Sequence, residues 1–82
     1  MPALADALAA GQFARLRAGM ATVDVHEDIT GEYSITLRYG MGPTRLMGRF
    51  TSFPEVDVYL ATGAIPGVTG GETTWEPMPA GG

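Results

Sequence analysis

The side chains that most suggest nucleophilic catalysis are one histidine and two serines, His26, Ser34 and Ser52. A hydroxyl beside an imidazole becomes a nucleophile when an acid orients the ring and an oxyanion hole is present. Apolar and polar residues alternate in the segments around His26 and Ser34, which predicts that these two residues lie opposite each other on the outer face of a hairpin. Glu27 then points to the other face, and Asp24 lies two residues along the same strand. We interpret the pair as ordinary surface residues and predict no catalytic site.

Metal and phosphate ligation also find little support in the sequence. Consecutive strand residues point to opposite faces, so His26 and Glu27 cannot chelate one ion. Segment 28–32 is far shorter than a calcium loop of about 12 residues. The chain has no cysteine, and its glycine pairs at 40/42 and 70/71 are not followed by the lysine of a phosphate loop. We predict no metal, no cofactor and no enzymatic activity.

The basic residues stand out more clearly. All five are arginines, and they are Arg15, Arg17, Arg38, Arg45 and Arg49. The predicted register places Arg38 opposite Arg45 on the outer sheet face, and Arg49 opposite Ser34. Like charges directly opposite each other destabilise a sheet. Either Asp24, diagonal to Arg38, relieves the repulsion, or the arginines receive carboxylates or phosphates of a partner.

We take the second interpretation forward as a candidate contact surface. Its predicted partner-binding residues are Arg38, Arg45, Met47, Arg49 and Trp75. Trp75 has two open interpretations, because a large aromatic side chain often covers a thin core. Alternatively, it is the aromatic anchor of a flexible acidic arm, since such anchors dominate interface energetics.

The elements that position these side chains begin with a three-stranded antiparallel meander. Residues alternate between apolar and polar over Ala21–Glu27, Tyr33–Tyr39 and 44–50, and turn residues separate the three runs. Both hairpins then place their apolar residues on one face without a slip. The register predicts burial of Ile35, Leu37, Leu46 and Phe50, and exposure of Thr36, Arg38, Met47 and Arg49.

A helix is expected on each side of the meander. Apolar residues three and four apart predict a helix over 2–18, and a shorter helix ending near Ala10 is the alternative because Gly11 disfavours continuation. Ser52 and Glu55 have the spacing of a capping box, which predicts a second helix from about residue 53 to Gly63.

The predicted architecture is therefore a single α+β domain over 1–75, in the order α-β-β-β-α, with both helices on one face of the sheet. A short edge strand is expected at 73–75, and the Gly- and Pro-rich segment 76–82 is expected to be a flexible tail.

Length and composition narrow the classes of protein further. Eighty-two residues suit one domain, and 45% hydrophobic with 17% charged residues is typical of a globular chain. A net charge of −4 argues against a general nucleic-acid binder. No apolar run approaches the ~20 residues of a membrane span, and the N-terminus lacks the basic segment of a signal peptide. The sequence favours a cytoplasmic protein without membrane association.

The strand order carries a resemblance to a known family. Three strands followed by a helix, joined at Phe50-Thr51-Ser52-Phe53, resemble the arm-type DNA-binding domains of phage integrases. That resemblance implies a basic sheet face that enters a major groove, although this chain has no lysine. The full element order is also similar to that of double-stranded RNA-binding domains, whose last helix begins with basic residues. Here that helix begins with Pro54-Glu55-Val56-Asp57.

These observations favour a small non-enzymatic binding or inhibitory protein that occupies a surface of a macromolecular partner, with a protein as the expected partner. Its size and composition fit a phage or mobile-element origin. One alternative is a small DNA-binding domain that uses Arg38, Arg45 and Arg49. A second alternative is a structural subunit that forms homo-oligomers through a sheet edge or the C-terminal arm.

Overall fold

The computed structural model describes residues 2–79, which form two helices and one antiparallel sheet. The elements are α1 (Leu4–Ala10), β1 (Phe13–Ala18), β2 (Ala21–Glu27), β3 (Tyr33–Tyr39), β4 (Arg45–Phe50), α2 (Phe53–Ala61) and β5 (Glu76–Met78). The five strands lie in the order β4-β3-β2-β1-β5. The predicted α+β class is confirmed, but the sheet has five strands rather than the three of a simple meander.

The β2–β3 hairpin has the predicted register. Val25 lies opposite Ile35 and Val23 lies opposite Leu37, and all four side chains are buried. Apolar residues at every second position give this hairpin one apolar face. The hairpin is therefore the centre of both the sheet and the core.

The pairing of β3 with β4 follows the prediction only over part of its length. Ile35 lies opposite Gly48, but a bulge next in the ladder leaves Met47 without a direct partner. Beyond it Thr36 pairs with Leu46 and Leu37 pairs with Arg45, so this end of the ladder departs by one residue from the register that places Arg38 opposite Arg45. A bulge adds one residue to one strand and thereby reverses which face the following residues occupy.

Burial follows the bulge. Leu46 is 54% exposed instead of buried, and Met47 is half-buried against the core instead of exposed. The ring of Phe50 folds back over Gly48, where a Cβ would lie 2.9 Å from a ring carbon. Phe50 is consequently half-buried. The predicted burial of Ile35 and Leu37 and the predicted exposure of Arg38 and Arg49 are confirmed, whereas Thr36 is half-buried.

The N-terminal segment contains a helix and a strand where the longer prediction had one helix over 2–18. The helix ends at Ala10, as in the shorter alternative, and β1 follows. Gly11 permits the close approach of β5, because a Cβ there would lie 2.7 Å from the backbone nitrogen of Met78. Ala14 and Leu16 are buried opposite Val25 and Val23.

The C-terminal segment is also ordered more extensively than expected. Glu76–Met78 form β5, which pairs with β1, so the edge strand lies at 76–78 rather than at the predicted 73–75. The predicted flexible tail is therefore wrong over the strand, and the rest of that prediction, residues 80–82, lies outside the described residues. The backbone N–H of Trp75 donates to the carbonyl of Pro2, which joins the two chain ends of the fold.

Both helices cover the same face of the sheet, as predicted. Leu4 and Ala7 of α1 and Val56 and Leu60 of α2 belong to the buried cluster that contains the inward side chains of β1, β2 and β3. Ile65, Val68 and Trp75, from the segment after α2, complete that cluster. We call the covered side the helix face of the sheet. Within residues 2–79, neither helix is long and apolar enough to cross a membrane.

The start of α2 differs from the predicted capping box. The side chain of Ser52 makes no capping hydrogen bond. The carboxylate of Glu55 instead accepts hydrogen bonds from the backbone N–H and the hydroxyl of Thr51, one residue earlier. The glutamate therefore stabilises the turn into the helix, while the serine contributes only its extended backbone.

Candidate partner-binding surface

The sheet face opposite the helices, called here the outer face, is a surface of three rows set by the strand register. The first row is Met78, Phe13, His26, Ser34 and Arg49. The second is Glu76, Arg15, Asp24, Thr36 and Leu46. The third is Arg17, Thr22 and Arg38. Residues directly opposite each other share a face, so each row runs across the sheet.

Charge is strongly segregated between this face and the rest of the molecule. The outer face carries four of the five arginines and only two carboxylates, those of Asp24 and Glu76, which gives it a net charge of +2. The rest of the chain carries Arg45 and seven carboxylates, a net charge of −6. The overall charge of −4 therefore conceals one basic surface.

Asp24 is held by Arg15. The Nε and Nη2 atoms of Arg15 donate to the two carboxylate oxygens at 2.8 and 3.1 Å, and this hydrogen-bonded pairing raises the pKa of Arg15. Arg17 lies 3.6 Å from the carboxylate of Glu76. Asp24 thus pairs with Arg15 and not with Arg38, so the first interpretation of the sequence, in which Asp24 relieves the repulsion at Arg38, is wrong. Within residues 2–79, Arg38 and Arg49 form no salt bridge.

An aromatic pair lies at one end of the outer face. The rings of Phe13 and His26 stack with centroids 4.4 Å apart and planes 19° from parallel. The guanidinium carbon of Arg15 lies 5.5 Å from the Phe13 centroid, within the range of a cation–π contact. His26 lies opposite Ser34, as predicted.

The predicted contact residues do not form one surface. Arg38 and Arg49 are exposed on the outer face, but Arg45 lies opposite Leu37 and therefore on the helix face, so the predicted opposition of Arg38 and Arg45 is wrong. The bulge turns Met47 toward the core. Trp75 is fully buried and covers the core, so it offers no anchor to a partner.

Sequence reasoning missed much of the surface that replaces this set. Phe13, Arg15 and Arg17 were assigned to a helix, although they alternate with the small or apolar residues that β1 buries. The exposure of Leu46 on the outer face was not predicted, because the local sequence pattern gives no sign of the bulge. The alternation in β1 was the one available signal.

A hollow of about 250 Å³ lies where the aromatic end of the outer face meets the β2–β3 turn. Its lining residues are His26, Glu27, Asp28, Glu32, Tyr33, Ser34 and Arg49. The hydroxyl of Thr30 and two backbone N–H groups donate to Asp28 and lower the pKa of that carboxyl. Across the part of the chain that the structure describes, no group of three or more acidic or histidine side chains is arranged to hold a metal ion.

Comparison with known proteins adds no relative to this description. No model of a protein family, no curated protein and no solved structure matches the chain. The resemblance to arm-type DNA-binding domains rests on element order and on the junction between Phe50 and Phe53, and a five-stranded sheet departs from it. The outer face is therefore interpreted from its own geometry and charge.

Proposed function

We propose that this protein is a non-enzymatic binding module whose outer face occupies an acidic surface of a partner protein. The observation that carries the proposal is the segregation of charge, with +2 on an uncovered sheet face of a chain whose remainder is −6. An antiparallel sheet can leave one face in water. Four arginines on that face are more than solubility requires, since the remaining surface is already strongly charged.

Arg38 and Arg49 are the proposed energetic centre of the contact. Each is exposed, and neither forms a salt bridge within residues 2–79, so neither must break an internal pair to bind. A guanidinium group can engage a carboxylate through two parallel hydrogen bonds. Leu46, exposed by the bulge in the row between them, offers apolar contact area beside the charges. Arginines next to apolar contacts are typical of interface hot spots.

The surroundings of the histidine support a binding role over a catalytic one. The ring of His26 stacks on Phe13, and both carboxylate oxygens of Asp24, the nearest acid on the same face of its strand, accept hydrogen bonds from Arg15. A catalytic imidazole needs an acid that orients it toward the nucleophile.

A small DNA-binding domain is the second candidate, favoured by the Phe13–His26 stack beside Arg15. Aromatic platforms flanked by arginines bind the bases of single strands. The net charge of −4 opposes this candidate, as do the carboxylates of Asp28 and Glu32, which line the same hollow as Arg49. Phosphates approaching that end of the face meet repulsion as well as attraction.

The test is a pair of binding experiments with the double variant Arg38→Gln/Arg49→Gln. Proteins from the native host that the wild type captures are identified, and their affinity is measured in solution at concentrations where the chain is monomeric. We expect the double variant to bind at least about tenfold more weakly, because two hot-spot arginines contribute more than about 1 kcal/mol each. Its melting temperature should change little, since both side chains are exposed and neither forms a salt bridge within residues 2–79.

Arg45→Gln is the matched control, because it removes the same charge from the helix face. A captured protein whose affinity falls equally with Arg45→Gln, or does not fall with the double variant, contradicts the proposal. Binding of a single-stranded oligonucleotide that weakens steeply with salt and is lost in the double variant would favour the DNA-binding candidate instead.

A further inference from the structure

An apolar groove of about 500 Å³ runs along the helix face, between the edge of the sheet and α2. Its lining residues are Phe50, Pro54, Glu55, Val58, Tyr59 and Thr62. The ring centroids of Phe50 and Tyr59 lie 5.1 Å apart. Val58, which also lines the groove, is 66% exposed. Glu55 is the one carboxylate among the lining residues. A long apolar side chain with a cationic end has the chemistry to fill such a groove.

The strand beside the groove is the open edge of the sheet. At the opposite edge, β5 has only three residues and contains Pro77, which cannot donate a backbone hydrogen bond. In contrast, β4 has six residues, contains no proline and pairs on one side only. A further strand can therefore be added at β4 and not readily at β5.

The bulge gives β4 a symmetrical pattern of faces. Arg45 and Phe50, at its two ends, lie on the helix face, and Leu46 and Arg49 lie on the outer face. Met47 and Gly48, between them, both face the core. An antiparallel second copy of β4 can consequently lie opposite the first with every residue matched to one on the same face: Arg45 opposite Phe50, and Leu46 opposite Arg49.

We propose that the occupant of the groove is Arg45 of a second copy of this chain, in a two-fold dimer formed by antiparallel pairing of two β4 strands. In that register the stem of Arg45 passes over Phe50 of the second copy and its guanidinium reaches Glu55. Arg45 is exposed and, within residues 2–79, forms no salt bridge in the single chain. The two-fold symmetry gives two such charge pairs for one interface.

This dimer does not rest on the proposed function, because the groove, Arg45 and Glu55 lie on the helix face. Its register also places Leu46 opposite Arg49 of the second copy on the outer face, so partner binding is measured on the monomer. The dimer leaves both outer faces open on the same side of a continuous sheet, since a two-fold axis perpendicular to the sheet preserves its faces. Arg45, which the register separates from the other arginines, thereby gains a specific contact.

The test is the oligomeric state of the full chain by sedimentation velocity from low micromolar to millimolar concentration. We expect the wild type to dimerise as concentration rises. Arg45→Glu places a carboxylate against Glu55 of the second copy, and Val58→Asp places one inside the groove, so each should raise the dimer dissociation constant at least tenfold. Ile29→Asp is the control, a fully exposed aliphatic residue in the β2–β3 turn that does not line the groove, and it should leave the dissociation constant unchanged.

A charge swap sharpens the experiment. The double variant Arg45→Glu/Glu55→Arg recreates the pair with reversed signs and should recover dimerisation relative to Arg45→Glu alone. Melting curves identify any variant that fails to fold, and if the swap unfolds because Glu55 holds Thr51, the two single variants decide. A wild type that stays monomeric at millimolar concentration overturns the proposal. So does a dimer that is insensitive to both Arg45→Glu and Val58→Asp.

Discussion

The two faces of the sheet use the same strands for different purposes. On the helix face, alternate residues of β1, β2 and β3 are apolar or aromatic and belong to one cluster with α1, α2 and Trp75. On the outer face, the intervening residues of those strands are arginines, hydroxyl side chains, Asp24 and the Phe13–His26 stack. Changes on the helix face should therefore act on the free energy of unfolding, whereas changes on the outer face should act on binding.

β4 is the strand in which this division breaks down. Its bulge moves Leu46 to the outer face and Arg45 to the helix face, so each face receives a residue of the type that belongs to the other. A buried strand could not tolerate that exchange, but an edge strand can, because Arg45 and Leu46 both remain exposed. The exchanged residues are the ones we assign to contacts with other molecules.

The largest expected effect comes from the helix face at Trp75, which is fully buried although it lies in the loop that leads into β5. Trp75→Ala removes the largest buried side chain and should destabilise the fold by about 3–5 kcal/mol, most of the stability of a small domain. Urea denaturation measures the loss. Met41→Ala, at a fully exposed methionine, is the control and should change stability by less than about 0.5 kcal/mol.

Within the same experiment, Trp75→Phe should lose less stability than Trp75→Ala. The indole Nε1 has no hydrogen-bond partner within residues 2–79, and phenylalanine removes that buried donor while it keeps most of the volume. A Trp75→Ala protein as stable as the wild type would show that the segment after α2 does not complete the core.

The second effect compares two leucines on neighbouring strands. Leu37 is buried and Leu46 is exposed only because of the bulge. Leu37→Ala should lower the free energy of unfolding by about 2–5 kcal/mol, and Leu46→Ala by less than about 1 kcal/mol. A regular ladder without the bulge would bury both residues, so similar losses for the two variants would contradict the observed register.

These comparisons show how far the sequence alone predicts the fold. The β2–β3 hairpin was predictable because its alternation is long and both strands agree on one register. β1 was missed because Phe13 and Leu16 satisfy helical spacing, and only the backbone ladder to β2 decides in favour of a strand. β5 is three residues long and contains a proline, so it carries no strand pattern of its own.

The candidate surface was predictable to a smaller extent than the fold. Arg38 and Arg49 were assigned to the correct face because their strands were predicted correctly. Arg49 also lies on the side of the bulge where the β3–β4 ladder keeps the predicted register. Arg15 and Arg17 were not assigned to the outer face because β1, which contains them, was not predicted. Arg45 was misplaced because the bulge shifts the register by one residue, and a bulge leaves no mark in the alternation of apolar and polar residues.

The smallest expected effect belongs to neither face and lies in the β2–β3 turn, at Asp28. The hydroxyl of Thr30 is the main cause that holds the pKa of this carboxyl below its ordinary value, aided by the backbone N–H groups of Thr30 and Glu32 and by the charge of Arg49. Because the folded pKa lies below the unfolded one, the contribution to stability is complete above about pH 4 and is lost as pH falls through the folded pKa. Thr30→Val removes the hydroxyl and should slightly lower the urea midpoint at pH 7.

Once the pH has fallen below the folded pKa of Asp28, that difference should shrink toward zero. Thr44→Val is the control, because Thr44 is an exposed residue in the β3–β4 turn, and its effect should not vary with pH. The Glu72 carboxyl would by burial alone have a raised pKa, but hydrogen bonds from Thr69 and Gly70 bring it below the ordinary value. Glu72 therefore adds acid sensitivity of the same sign to every variant and cancels in the comparison. A Thr30→Val deficit that persists unchanged below that pKa of Asp28 would assign the effect to the lost hydroxyl alone, and Asp28 would then not be the group that titrates.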